Sequence, residues 1–359
     1  MKEQYLSYLL DKMSLKEKIG QMLFIDYRDT YRMTVDLEKV LTTYSPGGFI
    51  IFNSNLSSYN GTSKLLRDIR NIGDIHPIIA ADQEGGRVQK LSKVGFTNIP
   101  AMLNVVNTMS EEKIFELAKN VGKELREFGV DMDMAPVLDV VTDYNSSIIG
   151  SRSFGSDPER VKRLSMLFAK GLKEENIMTV GKHFPGHGAV SGDTHKELLT
   201  IEKDLNQLKE FDLIPFAEAI NQNIPGIMIG HLAVPKVTGD NTPATLSKVL
   251  ISDLLKKDLG HKGLVVTDSL KMWAVTNNYH EDEIYLRCVQ AGNDMLLMPQ
   301  NINVAFDTIY NAVNDGLITE DRINDAVYRI LSAKFDYGFF NKDYQEYLKT
   351  HNDNKTFTK

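Results

Sequence analysis

Short apolar runs rich in β-branched residues recur along the whole chain: Gln21–Tyr27, Gly48–Phe52, Pro77–Asp82, Asp131–Asp139, Thr179–Pro185, Gly226–Leu232, Gly263–Asp268 and Asp294–Met298. Most are continuously hydrophobic rather than alternating. A strand covered on both faces has that pattern, so the runs predict a parallel sheet sheathed by helices. The intervening segments carry helical punctuation. Ser14 with Glu17 three residues on predicts a capping box ahead of the apolar stretch Ile19–Leu23. Across Glu111–Phe128 the residues Ile114, Leu117, Ala118, Val121 and Leu125 fall on one stripe. Thr319 predicts an N-cap with Glu320 and Asp321 in the first turn, where negative charge suits the helix dipole, and Ile323, Val327, Ile330 and Leu331 share one face beyond it. Eight strands alternating with helices over about 300 residues predict an α/β protein of the (β/α)8 TIM-barrel type. A doubly wound open sheet is the rival, but it usually has fewer strands.

No internal repeat or low-complexity linker divides the 359 residues. Residues 1–345 therefore read as one barrel domain and 346–359 as a polar C-terminal tail. An apolar share of 42% and a charged share of 25% are those of a globular chain that buries a full core. The net charge of −7 argues against polyanion partners, so neither nucleic acid nor an anionic membrane is expected. The lone Cys288 can form neither an internal disulfide nor a thiolate metal cluster and reads as a small core residue. Asp11 and Lys12 interrupt the apolar start of the chain, and no run reaches the length of a membrane span, so a cytoplasmic monomer is expected.

In a barrel of this kind, active-site residues lie at the C-terminal ends of the strands and in the loops after them. The polar residues closing the runs are Asp82, Asp139, Lys182, His183, His231 and Asp268. An unpaired charge is a poor fit for a packed barrel, so their shared position is a functional signal. The segment GKHFPGHGAVSGDTHKELL, residues 181–199, concentrates histidines, lysines and an aspartate around Gly186, Gly188 and Gly192, which would let a loop bend over a ligand. Asp193 and His195 stand two apart, a spacing that lets a carboxylate fix the tautomer of an imidazole and raise its pKa for proton transfer.

KHFPGHG followed by a D-x-H element resembles the catalytic loop of family-3 glycoside hydrolases, the NagZ-type β-N-acetylglucosaminidases. The pieces DQEGGRVQKL, DMDMAPVLDV, IIGSRSFGSDP, MIGHL and VVTDSLKM fall in the same order, and the resemblance runs from about Met13 to Phe340. It implies a retaining hydrolase in which Asp268 is the nucleophile and His195, assisted by Asp193, the general acid/base. Asp82, Lys182 and His183 would hold sugar hydroxyls, with Arg152 and Met228 lining the subsite. Lys90 stands where family members commonly carry arginine. As a substrate contact it offers a point charge without the planar fork. The resemblance implies a GlcNAc-containing carbohydrate as substrate, with muropeptides of cell-wall recycling foremost, and neither cofactor nor metal.

Other readings stand beside this one. Asp268 in TDSL could cap a helix. His183, His187, Asp193 and His195 could be metal ligands, although Pro185 and Gly186 prevent His183 and His187 from sharing a helix face. A β-glucosidase or β-xylosidase of the same family would typically carry a second α/β domain supplying a glutamate acid/base. A histidine acid/base also leaves room for phosphate as acceptor, which would make the enzyme an N-acetylglucosaminide phosphorylase. A non-catalytic sugar-binding barrel is the remaining class. His187 reads as structural, Asp131 and Asp133 as orienting neighbouring loops, and Glu281–Glu283 as a solvated charge cluster. His231 is open between a place below Met228 and a structural role, and Trp273 between an outer subsite and the core.

Overall fold

The computed structural model describes residues 1–144, 148–188, 190 and 198–352. Eight parallel strands form one sheet: β1 (Leu23–Ile25), β2 (Gly48–Ile50), β3 (Ile78–Ala81), β4 (Met132–Asp133), β5 (Met178–Phe184), β6 (Gly226–Ile229), β7 (Leu264–Thr267) and β8 (Leu296–Leu297). Each strand from β1 to β6 pairs with the next in chain order, and β1 also pairs with β8. A bridge between Val266 and Met295 joins β7 to the start of β8. The sheet therefore closes on itself as a (β/α)8 barrel, which excludes the open doubly wound alternative. Every strand residue is buried, as continuous apolar runs require.

The strands are shorter than the runs that predict them. In the fourth run the regular strand ends at Asp133, although the Val180 N–H still donates to the Ala135 carbonyl at 2.9 Å and the Lys182 N–H to the Pro136 carbonyl at 3.2 Å. Farther on, the Leu138 N–H donates to the Lys182 carbonyl at 2.6 Å and keeps the chain beside β5.

The helix signals are realised locally. The Ser14 hydroxyl accepts from the Glu17 N–H while the Glu17 carboxylate accepts from the Ser14 N–H. Thr319 caps helix Glu320–Asp336, whose Ile323, Val327, Ile330 and Leu331 are all buried. In helix Glu111–Phe128 the stripe packs inward, with Leu117 half-buried at its edge. At the N-terminal end of the barrel, the Tyr5 ring sits 5.1 Å from both Tyr344 and Tyr347. Those two tyrosines belong to helix Asn341–Asn352, so regular structure continues past residue 346, where the polar tail was expected to begin. Cys288 is buried with a free thiol, as a small core residue. Among the described residues no helix is long and apolar enough to cross a membrane.

Candidate active site

The C-terminal strand ends converge on a cavity of about 490 Å³. It is lined by Asp82, Lys90, Arg152, Lys182, His183, Met228 and Asp268 together. These come from β3 and the loop after it, the loop after β4, β5, β6 and the end of β7. Asp193 and His195 lie outside the described residues.

Two adjacent residues, Lys182 and His183, line the same cavity, although neighbours on a strand normally face opposite ways. The β5–β6 register explains how. Gly181 pairs with Ile227 and Phe184 with Ile229, so three steps along β5 match two along β6. The extra residue is a bulge, a device that re-aims side chains. Farther along, a Cβ on Gly188 would lie 2.1 Å from the Val140 carbonyl oxygen. At this position glycine serves close backbone approach, rather than only the bending read from the sequence.

A residue missed in the sequence organises the cavity floor. Glu84, 4% exposed, follows β3 in the short strand Gln83–Gly85. Arg152 donates to both its oxygens, from Nε at 2.7 Å and from Nη2 at 2.7 Å. Lys182 Nζ lies 2.6 Å from Glu84 Oε1 and 3.1 Å from Asp82 Oδ1. Burial disfavours each charge alone, but the cluster overrides it. Arg152 and Lys182 hold Glu84 far below the ordinary carboxylate range, and Glu84 followed by Asp82 holds Lys182 above the ordinary lysine value. Beside them, burial pushes Asp133 up to about 7; one of its oxygens accepts from the Gln83 N–H at 3.0 Å.

Asp139, fully buried, anchors the other side. Its carboxylate accepts from the His183 N–H at 3.2 Å, from the His187 N–H at 2.7 Å, and meets His183 Nδ1 at 2.7 Å. Burial opposes its charge, yet His183 keeps Asp139 below the usual aspartate value, so an anion faces Nδ1 and places a proton there. Ser153, next to Arg152, donates from its hydroxyl to the Asp139 carbonyl at 2.6 Å and ties the arginine's turn to this strand end.

Asp268 directly follows β7. Its N–H donates to the Ile229 carbonyl at 2.9 Å, and Oδ1 accepts from the Ser269 N–H at 2.7 Å. The next helix, Trp273–Thr276, is capped at Met272, so Asp268 is not its N-cap. His231 Nε2 faces the Ser269 carbonyl at 2.9 Å, and a carbonyl only accepts, so that nitrogen carries a proton and pins the turn that presents Asp268. Burial raises the pKa of Asp268, but His183, His231, the Ser269 N–H and Lys182 together bring it below the ordinary aspartate value. An ionised carboxylate thus stands in the cavity at neutral pH. Trp273 is 57% exposed and among the residues lining the cavity, so it is not a core residue.

Residues 14–333 match the model of the glycosyl hydrolase family 3 N-terminal domain. The chain belongs to glycosyl hydrolase family 3. As a member of this family it is a glycoside hydrolase. It is 33% identical over 332 residues to the beta-hexosaminidase LpqI of Mycobacterium tuberculosis, which covers 90% of this chain and 83% of that protein. Among solved structures, a family-3 beta-N-acetylglucosaminidase from Paenibacillus sp. superposes with a TM-score of 0.86 at 33% identity, over 91% of this chain and 63% of the other. The chain thus spans less than two thirds of that protein's length. The LpqI structure superposes with a TM-score of 0.84 at 31% identity, over 92% of this chain and 96% of the other.

Proposed function

We propose that this family-3 hydrolase is a retaining exo-β-N-acetylglucosaminidase that works through a covalent glycosyl-aspartate. The observation that carries the reading is the Asp268 carboxylate, kept ionised at the end of β7 within a cavity of a size that takes a small ligand. Asp268 attacks the anomeric carbon of the terminal sugar as the glycosidic bond breaks. His195, oriented by Asp193, gives its proton to the departing oxygen and then takes one from water, which attacks the same carbon and frees Asp268. Histidine titrates near neutrality, so it serves as acid and then base without a strongly perturbed environment. Asp82, Lys182, His183 and Arg152 bind the sugar hydroxyls, with Met228 against the ring and Lys90 as a further contact.

The names of the two similar proteins, a beta-hexosaminidase and a beta-N-acetylglucosaminidase, support N-acetylglucosamine as the released sugar. The NagZ-type resemblance extends the reading to a monomer acting in the cytoplasm on muropeptides during cell-wall recycling. Hydrolysis of p-nitrophenyl β-N-acetylglucosaminide in preference to the β-glucoside, with the β-anomer released first by proton NMR, is the expected result. His195→Ala should retain turnover of the activated nitrophenyl substrate and lose that of a disaccharide with a poor leaving group. Preference for the glucoside, α-anomer release, or an unaffected disaccharide in His195→Ala would overturn the reading.

A further inference from the structure

A second cavity, of about 520 Å³, lies at the opposite end of the barrel from the active site. Gln21, Pro46 and Pro77 on its wall stand within two residues of the starts of β1, β2 and β3. Its volume is that of a small-molecule site. Leu41 and Phe340, both buried, give it an apolar wall. Several of its polar groups are spent within the fold. Gln21 donates from Nε2 to the Ser45 carbonyl at 2.9 Å and accepts from Lys334 at 2.7 Å. The Glu17 carboxylate accepts from the Ser14 N–H at 2.8 Å, and the Lys12 ammonium donates to the Tyr8 hydroxyl.

Tyr5 is different. It lines the cavity at 1% exposure, and its buried hydroxyl has no hydrogen-bond partner among the described residues. Folds leave few such groups unsatisfied, and each one calls for an explanation. Burial, and then the charge of Asp343, push this phenol up to about 12, so it keeps its proton at neutral pH. Asp343 and Asp74 are exposed residues of the same wall and make no ion pair among the described residues. The wall thus carries Lys12 against Glu17, Asp74 and Asp343, an excess of negative charge beside an orphaned hydroxyl.

We propose that this cavity is a second ligand site, for a small organic cation: a primary ammonium on an apolar body. The ammonium donates to the Tyr5 oxygen and faces Asp343, while the body covers Leu41 and Phe340. An ammonium supplies both things the wall lacks, a partner for the phenol and a counter-charge for the carboxylates. An anionic ligand would meet like charge instead. Tyr5 belongs to helix Lys2–Lys12 and Asp343 to helix Asn341–Asn352, so the ligand would join the first helix of the chain to the last.

Phenethylamine, 2-phenylethanol and phenylacetate share an apolar body and differ in the head group. Each is titrated into the full chain with its methionine methyls labelled with 13C. Met13 lines this cavity and Met228 the active site, so their signals report where a ligand sits. Phenethylamine should shift the Met13 signal saturably and leave Met228 unmoved. The alcohol should bind about fivefold more weakly, and phenylacetate more weakly still. Tyr5→Phe keeps the ring and removes the hydroxyl, and should weaken phenethylamine about tenfold. Asp343→Asn should remove most of the amine's lead over the alcohol. Without ligand, Tyr5→Phe should unfold at the same or a higher urea concentration, because an orphaned hydroxyl is gone. A lower midpoint would mean that the hydroxyl is satisfied inside the fold, and would overturn the site. A Met13 signal indifferent to phenethylamine, equal affinity for the three head groups, or either variant binding the amine as tightly as the wild type would overturn it too.

Discussion

Glu84→Gln is the most informative change on the cavity floor. Glu84 receives contacts from two cations at 2.6 to 2.7 Å, one the buried Lys182 and the other Arg152, whose side chain is 13% exposed. Glutamine keeps one acceptor oxygen but turns the other position into an N–H donor facing a guanidinium or an ammonium. The two cations then share one neutral acceptor and Asp82. Removing one partner of a buried ion pair costs about 3–5 kcal/mol, and the retained oxygen puts this case near the lower end. If Lys182 and Arg152 hold the terminal sugar as proposed, their loss of position costs about 100-fold in kcat/KM. A second readout separates electrostatics from packing. Glu84 is the foremost group raising the pKa of Lys182, so without it burial pulls that pKa down. The titration of the Lys182 ammonium should move to lower pH in Glu84→Gln, and Glu84→Asp should move it back in part. Urea unfolding and NMR titration of protein labelled with 15N-lysine are the assays. A variant with wild-type stability and an unmoved Lys182 titration would refute this reading of Glu84.

Asp139→Asn replaces an acceptor of three N–H groups with an amide that must turn a donor toward one of them, so kcat/KM should fall about 10- to 100-fold with the far-UV circular dichroism unchanged. Asp133 titrates at about 7 in the fold against about 3.9 unfolded, so the native state holds the extra proton in that window and stability falls as pH rises through it. Asp133→Asn should therefore gain on the wild type between pH 5 and pH 8, by roughly 1–3 kcal/mol in urea unfolding. An unchanged difference at the two pH values would count against a buried, protonated Asp133.

Much of the barrel is readable along the chain because its strands are covered on both faces, and each continuous apolar run carries one of them. Strand length is less readable. The fourth strand ends at Asp133 inside a longer apolar run, and the β5 bulge depends on the β6 register, which a single strand does not record. The strand-end aspartates and the Lys182–His183 pair stand out because polar residues interrupt apolar runs. Glu84 did not, because QEGG after a strand reads as an exposed turn. Its burial depends on Arg152 and Lys182, sixty-eight and ninety-eight residues away, arriving over it.

Trapping the enzyme with a 5-fluoro or 2-fluoro glycosyl fluoride, digesting it and sequencing the labelled peptide by mass spectrometry tests the nucleophile directly. One sugar per chain is expected, on Asp268 within VVTDSLKM, with no label on Asp268→Asn. A stable label on any other residue, or turnover that proceeds in Asp268→Asn at the wild-type rate, would contradict it.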